Sequence, residues 1–222
     1  MTQIKLLTPN KIVRTKRRSI SLIISNSGEF FVRAPIRCSD KDIYDFIIKI
    51  ADWIIEKRRL SLANKISEIT FDKGNTIHLL GVEYTFDYHD SSRVKLINDK
   101  IFLPKEDTKN RFIRYLKSFA KKYLTMRVSH IAESLHFTYD TIGISSARTC
   151  WGSCSFKNKL HFTYKLMLCP KEIVDYIIVH ELSHTRVKNH SKAFWDIVAK
   201  IYPEYKQCEK WLKANRNIID LI

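Results

Sequence analysis

Hydrophobic and polar positions along this chain change period several times, and each change marks an element. Lys11–Thr15, Ser19–Ile24 and Glu29–Ala34 read as strands, with Asn26-Ser27-Gly28 as a hairpin turn between the last two. Ser39 or Asp40 then caps a long helix carrying Ile43, Phe46, Ile47, Ile50, Trp53, Ile54 and Arg58, its aromatic residues serving as core anchors. Strand patterning returns over Thr76–Leu80, Glu83–Tyr88, Val94–Ile97 and Lys100–Leu103, punctuated by Gly81, Ser91-Ser92 and Asn98-Asp99 and closed by Pro104. Glu106–Leu135 reads as one long helix with an apolar stripe of Phe112, Tyr115, Leu116, Phe119, Tyr123, Met126, Val128 and Ile131. Strands around Thr141–Ser146 and Leu160–Leu166 follow. Pro170 at a first helical position, Glu172 in the first turn and the run Ile173, Val174, Ile177, Ile178, Val179 announce a further helix. Helices at about 191–202 and 204–216 finish the chain. This order predicts an α+β fold. A β-rich part with one long helix occupies residues 1–104 and a second part residues 105–222, the two able to form one continuous domain.

Composition narrows the class. The 222 residues suit one or two small domains, and 45% hydrophobic content with five Gly and five Pro argues for a packed core. No apolar run approaches the roughly 18 residues of a membrane span, so a membrane partner is not expected. Met1–Ser19 is basic without the apolar segment of a secretory signal. Five cysteines without framework spacing favour reduced thiols and a cytoplasmic location. The formal net charge of +16, from 39 basic and 23 acidic residues, includes the clusters Lys16-Arg17-Arg18, Lys57-Arg58-Arg59 and Lys121-Lys122. Such an excess would attract nucleic acid or phosphorylated small molecules, although lysines spread over helix faces also serve simply to solvate them. No zinc finger or other nucleic-acid-binding signature accompanies the charge. The pattern fixes no oligomeric state.

The chemistry concentrates at His180-Glu181-Leu182-Ser183-His184, followed six residues later by His190. On a helix, His180 and His184 lie one turn apart on one face, and Glu181 is rotated about 100° from His180, beside a metal rather than on it. Neutral imidazoles ligate Zn2+ at about 2.0–2.1 Å, and a catalytic site keeps one position open for water. Zinc lowers the pKa of that water to about 7, within reach of Glu181 as general base. In an unbroken helix His190 would stand roughly 240° from His184, so the chain must leave the helix between them. Lys188-Asn189 is the expected exit, with Asn189 in a left-handed C-cap, and Asn189 or Ser191 capping a helix that carries Phe194, Trp195, Val198 and Ile201. The spacing matches the metzincin pattern, but Val187 stands where that pattern has Gly. Glu204 or Glu209 is the rival third ligand.

Several segments together resemble one family. Trp151-Gly152-Ser153-Cys154-Ser155, Pro170 through His184, Asn189-His190-Ser191 with Phe194-Trp195, and Arg14–Ser19 with Val32–Pro35 are similar to motifs of the YgjP-like metallopeptidases, over roughly residues 12–213. The resemblance implies a zincin-like catalytic part, in which the HExxH helix packs on a small mixed sheet, and it places a histidine third ligand at His190. It implies Zn2+, or another divalent metal, as cofactor. Cys150 stands where the family usually has Arg, and Phe162-Thr163-Tyr164-Lys165 replaces its Leu-Asn-Trp-Arg. Arg148 and Lys165 are the nearest substitutes if those arginines bind an anion.

Peptide-bond hydrolysis is the first expected reaction, with His161 or Tyr164 as oxyanion donor. The resemblance also implies a second reaction, conversion of UTP to its monophosphate and pyrophosphate, with Arg148, Lys165 or Arg186 neutralising phosphate. A third reading, by similarity to the SprT group, is a protease tethered to nucleic acid through its basic surface. Trp151, Ser153 and Trp195 complete the candidate substrate-binding residues. Cys150 and Cys154 offer only two thiolates toward a second zinc site, a weak signal, and Cys154 reads as a packed, reduced thiol within the signature.

Overall fold

A computed structural model describes residues 7–25, 28–63 and 69–221. Asn26 and Ser27 of the expected hairpin turn lie outside the described residues. The chain divides into two compact units, Met1–Ser67 and Glu68–Ile222.

In the first unit, β1 (Lys11–Thr15) pairs in parallel and β2 (Ser21–Ile24) antiparallel with a central β3 (Phe30–Pro35). Alternation along β3 turns Phe30, Val32 and Ala34 to one face, where they are fully buried against Ile43, Ile47 and Ile54. The expected single helix is two: α1 (Asp40–Lys49) and α2 (Ala51–Ala63). Ser39 caps α1 in a reciprocal capping box with Asp42, and Ile50 leaves helical geometry at φ −114°, ψ 22°. Trp53, expected in the core, is 48% exposed.

The second unit opens with a four-stranded mixed sheet of β4 (Thr76–Leu79), β5 (Val82–His89), β6 (Lys95–Ile97) and β7 (Lys100–Pro104), in the order β4-β5-β7-β6. Leu80 and Gly81 join β4 to β5, both at positive φ, as a two-residue type I′ hairpin requires. Ile77, Leu79, Phe86, Ile101 and Leu103 share one core with α3 (Thr108–Ser134). That shared core is why this sheet sits in the second unit rather than before a division at residues 104/105. The buried stripe of α3 is Phe112, Leu116, Ala120, Leu124, Val128, Ile131 and Ala132. Met126, assigned to it from spacing, is 62% exposed.

A second sheet, β8 (Ile142–Ser145), β10 (Leu160–Thr163) and β9 (Gly152–Cys154) in that order, leads through the buried 3-10 turn Tyr164–Leu168 into α4 (Lys171–Ser183). The Leu80 N–H donates to the Met167 carbonyl at 2.8 Å, tying the first sheet to that turn. Helix α4 is buried on most of its surface, which explains its near-continuous apolar run. Arg127 of α3 grips Asp175 of α4 through two hydrogen bonds of 2.7 and 2.8 Å. Helices α5 (Lys192–Ile201) and α6 (Tyr205–Ala214) follow. Among the described residues, no helix is long and apolar enough to cross a membrane.

Candidate metal centre

Helix α4 delivers His180 and Glu181 and ends at Ser183, with His184 as its C-cap residue. The exit is therefore earlier than Lys188-Asn189, and Asn189 is not among the residues at positive φ. Turn hydrogen bonds do the work instead. The Thr185 N–H donates to Leu182, and those of Arg186 and Val187 to Ser183, at 2.9–3.1 Å. The Thr185 hydroxyl adds a bond to the Leu182 carbonyl. Val187 thus fits where another turn would need glycine, and its carbonyl faces His184 Nδ1 at 3.0 Å. Asn189 Oδ1 accepts from the Ser191 N–H at 3.2 Å, and Ser191 is the N-cap residue of α5. His190 is thereby folded back.

The three imidazoles converge. Nε2 of His190 lies 3.1 Å from Nε2 of His180 and 3.2 Å from Nε2 of His184. They are the only group of three or more metal-ligating side chains among the described residues. A carbonyl can only accept, so Val187 fixes the His184 proton on Nδ1 and leaves the Nε2 lone pair facing the other rings. Ligands about 2.0–2.1 Å from a tetrahedral zinc stand roughly 3.3 Å apart, so this donor set fits such a cation. Burial, then the neighbouring His184 and His190, pushes the His180 pKa down to about 3, which keeps it a neutral donor. Burial also lowers His184. Phe194 stacks on His184 at 4.3 Å and meets His180 and His190 edge to face. His180 Nδ1 is buried with no hydrogen-bond partner.

Glu181 is 5% exposed, and burial raises its carboxyl to about 8. It lies against β9: a Cβ on Gly152 would stand 2.7 Å from Glu181 Cγ and 2.8 Å from Oε1. A cleft of about 320 Å³ opens over His180 and Glu181, lined also by Cys150, Trp151, Gly152, Tyr176, Ile177, Glu209 and Leu212. β9 is an edge strand. The Thr163 N–H donates to the Trp151 carbonyl at 3.0 Å, so ladder alternation turns the backbone groups of Gly152 and Cys154 away from β10, toward the free edge.

The expected substrate residues separate into two groups. Trp151 lines the cleft, and Trp195 lies 5.9 Å from His180 and 5.8 Å from His190, stacked on Tyr205. Ser153 pairs with His161, and strand alternation points both to the sheet face opposite Glu181. Tyr164 is buried in the 3-10 turn beneath Lys117. Lys165 is fully buried and donates to the Ile219 carbonyl, its pKa lowered by burial and then by Arg148. Arg148 is exposed beside these two residues. Arg186 lies 4.0 Å over the Phe137 ring and donates to the Leu135 and His136 carbonyls, a structural clamp away from the cleft. Of the rival ligands, Glu204 is exposed and bonded to Gln207, while Glu209 lines the cleft outside the histidine group. Cys154 lies 3.7 Å from Lys188 and all five cysteines are unpaired. Sequence reading missed Tyr176, Ile177 and Leu212 as cleft walls. The helical position of Tyr176, one turn before His180, was the available signal.

A UTP pyrophosphatase of Escherichia coli (strain K12) is 26% identical over 106 residues, 47% of this chain and 59% of that protein's length. Crystal structures of two metallopeptidase zymogens also align. Abylysin of Pyrococcus abyssi does so at 23% identity and jannalysin of Methanocaldococcus jannaschii at 24%. Each alignment covers 41% of this chain, and 93% and 95% of the respective zymogen, with a TM-score of 0.38. The family model "YgjP-like, metallopeptidase domain" matches residues 18–215. The chain belongs to the YgjP-like metallopeptidase family.

Proposed function

We propose that this chain is a metal-dependent hydrolase that cuts peptide bonds, with Zn2+ held by His180, His184 and His190 and Glu181 as general base. The observation that carries the reading is the cleft wall. Among its described residues it has no Lys or Arg, and it holds the carboxylate of Glu209. A triphosphate would meet repulsion there with no cationic side chain of the lining to offset its charge beyond that of the metal. An extended peptide instead finds the free edge of β9, where Gly152 and Cys154 can pair with its backbone as one more strand.

A bound divalent metal would supply Lewis acidity at the scissile carbonyl and acidify a neighbouring water. Burial alone holds the Glu181 carboxyl at about 8, and a cation on the neighbouring histidines would favour its ionised form, which would take a proton from the attacking water and return it to the leaving nitrogen. Gly152 lets β9 lie close enough to hold this carboxylate in place. Trp151 and Leu212 exclude water from one wall. Tyr176, whose phenol burial keeps protonated, is the cleft hydroxyl available to a developing oxyanion. The five unpaired cysteines support a reducing cytoplasmic location.

The alternative substrate is UTP, favoured by the activity named for the Escherichia coli relative. Assaying zinc-loaded protein on a quenched-fluorescent peptide and for pyrophosphate release from UTP separates the two. Peptide cleavage that falls more than about 100-fold in Glu181→Gln with zinc retained is expected. Pyrophosphate release with the peptide left intact would overturn the reading.

A further inference from the structure

Charge in the first unit is divided between its two layers. Met1–Ser67 holds fourteen Lys and Arg against six Asp and Glu, a net +8. Residues 11–37, which form the sheet, hold seven of those cations and one carboxylate, Glu29. The other five acids, Asp40, Asp42, Asp45, Asp52 and Glu56, all lie on α1 and α2, where five basic residues balance them.

The sheet packs those helices on its Phe30, Val32, Ala34 face. Register places Lys11, Phe31 and Ile23 side by side on the opposite face, with Val13, Arg33 and Ser21 in the next row and Thr15 and Pro35 beyond. At that end a pocket of about 410 Å³ is lined by Thr15, Lys16, Arg17, Arg18, Ile36 and Arg37. Arg14 is occupied by Asp40 at 2.5 Å. Lys16, Arg17, Arg18 and Arg37 form no ion pair with a described carboxylate, and Arg17, bonded to Ser21 Oγ at 2.7 Å, keeps a buried Nε without a partner.

We propose that this face binds single-stranded nucleic acid. Successive backbone phosphates lie against Lys16, Arg17, Arg18 and Arg37 at the pocket, and bases stack on Phe31 between Lys11 and Arg33. A half-buried aromatic beside the exposed Lys11, Ile23 and Arg33, followed by a cluster of cations without a described carboxylate partner, is the combination single strands require. Forked guanidinium donors match phosphate oxygens.

The test is fluorescence anisotropy of a labelled 12-nucleotide thymidine oligomer with the full-length, zinc-loaded protein. Binding with Kd on the order of 10 µM at 50 mM salt is expected, and a log–log salt slope of about −3 for four phosphate contacts. The double variant Arg17→Gln/Arg37→Gln should bind at least tenfold more weakly, with the slope shallower by about 1.4. Phe31→Ala should weaken binding about tenfold with the slope unchanged. Phe31→Leu serves if the alanine lowers the melting midpoint. None of these positions belongs to the metal site, so hydrolase activity stays at the wild-type level. No binding at 100 µM protein, or binding that the substitutions leave unaltered, overturns the proposal. So does a pocket whose substitutions affect adhesion to phosphatidylserine vesicles but not the oligomer.

Discussion

At the scale of single residues, Gly152 and Glu181 form a tight constraint beside the three histidines. A methyl group at Gly152 would fall 2.7 Å from Glu181 Cγ, with the β9 backbone on one side and a buried carboxylate on the other. Gly152→Ala should therefore displace Glu181 rather than the metal. Turnover should drop about 100-fold, while zinc stoichiometry, read by atomic absorption, stays at the wild-type value. Cys169 gives a second residue-scale expectation. It is fully buried, and burial pushes its thiol up to about 12 from an ordinary 9.0. The folded pKa lies above the unfolded one, so this group's contribution is intact below about pH 9. It is lost as pH rises from about 9 toward 12. Urea unfolding at pH 8 and pH 10 should show wild type losing about 1.4 kcal/mol more than Cys169→Ala over that interval.

Among elements, the loop from α4 to α5 decides whether the third histidine arrives. Arg186 holds that loop to the end of α3 by its stacking on Phe137 and its bonds to the Leu135 and His136 carbonyls. Arg186→Ala should loosen the loop and weaken zinc retention about tenfold, measured by the rate of loss to a chelator. Sequence reading found most elements because burial imposes period on them: the long α3, the strands of the first sheet, and the α4 run into His180. The failures have local causes. β9 is three residues, Gly-Ser-Cys, too short to show alternation. The helix expected from Ser39 to Arg58 keeps an apolar pattern across a break at Ile50. The grouping of His180, His184 and His190 was legible because ligand chemistry restricts residue type and spacing. Cleft walls such as Leu212 come from a different helix, and no local pattern ties them to the motif. His161 and Ser153 were misjudged because proximity in sequence to the signature says nothing about which sheet face a strand residue takes.

Across the whole molecule, the division between Ser67 and Glu68 separates a strongly cationic sheet unit from the unit that holds the metal site. Ligand binding stabilises only the unit that contains the site. Removing zinc should therefore reduce hydrogen-exchange protection across α4 and α5 and leave β1–β3 unchanged, as mass spectrometry of deuterated peptides would resolve. The net charge of +16 also becomes easier to interpret at this scale. Half of it lies in the first unit, while the cleft beside the three histidines in the second is lined by Glu181 and Glu209 and by no described Lys or Arg. The overall basic excess is therefore no argument for a phosphate substrate at the metal.

The central claim is most directly tested by following the oxygen of water. Zinc-loaded protein is incubated in ¹⁸O-water with a mixture of unstructured peptides and UTP, beside the Glu181→Gln variant, and the products are weighed by mass spectrometry. The account predicts one ¹⁸O in each newly formed peptide carboxylate, no labelled phosphate product, and neither signal in Glu181→Gln. Label in uridine monophosphate or pyrophosphate, with every peptide intact, would contradict it.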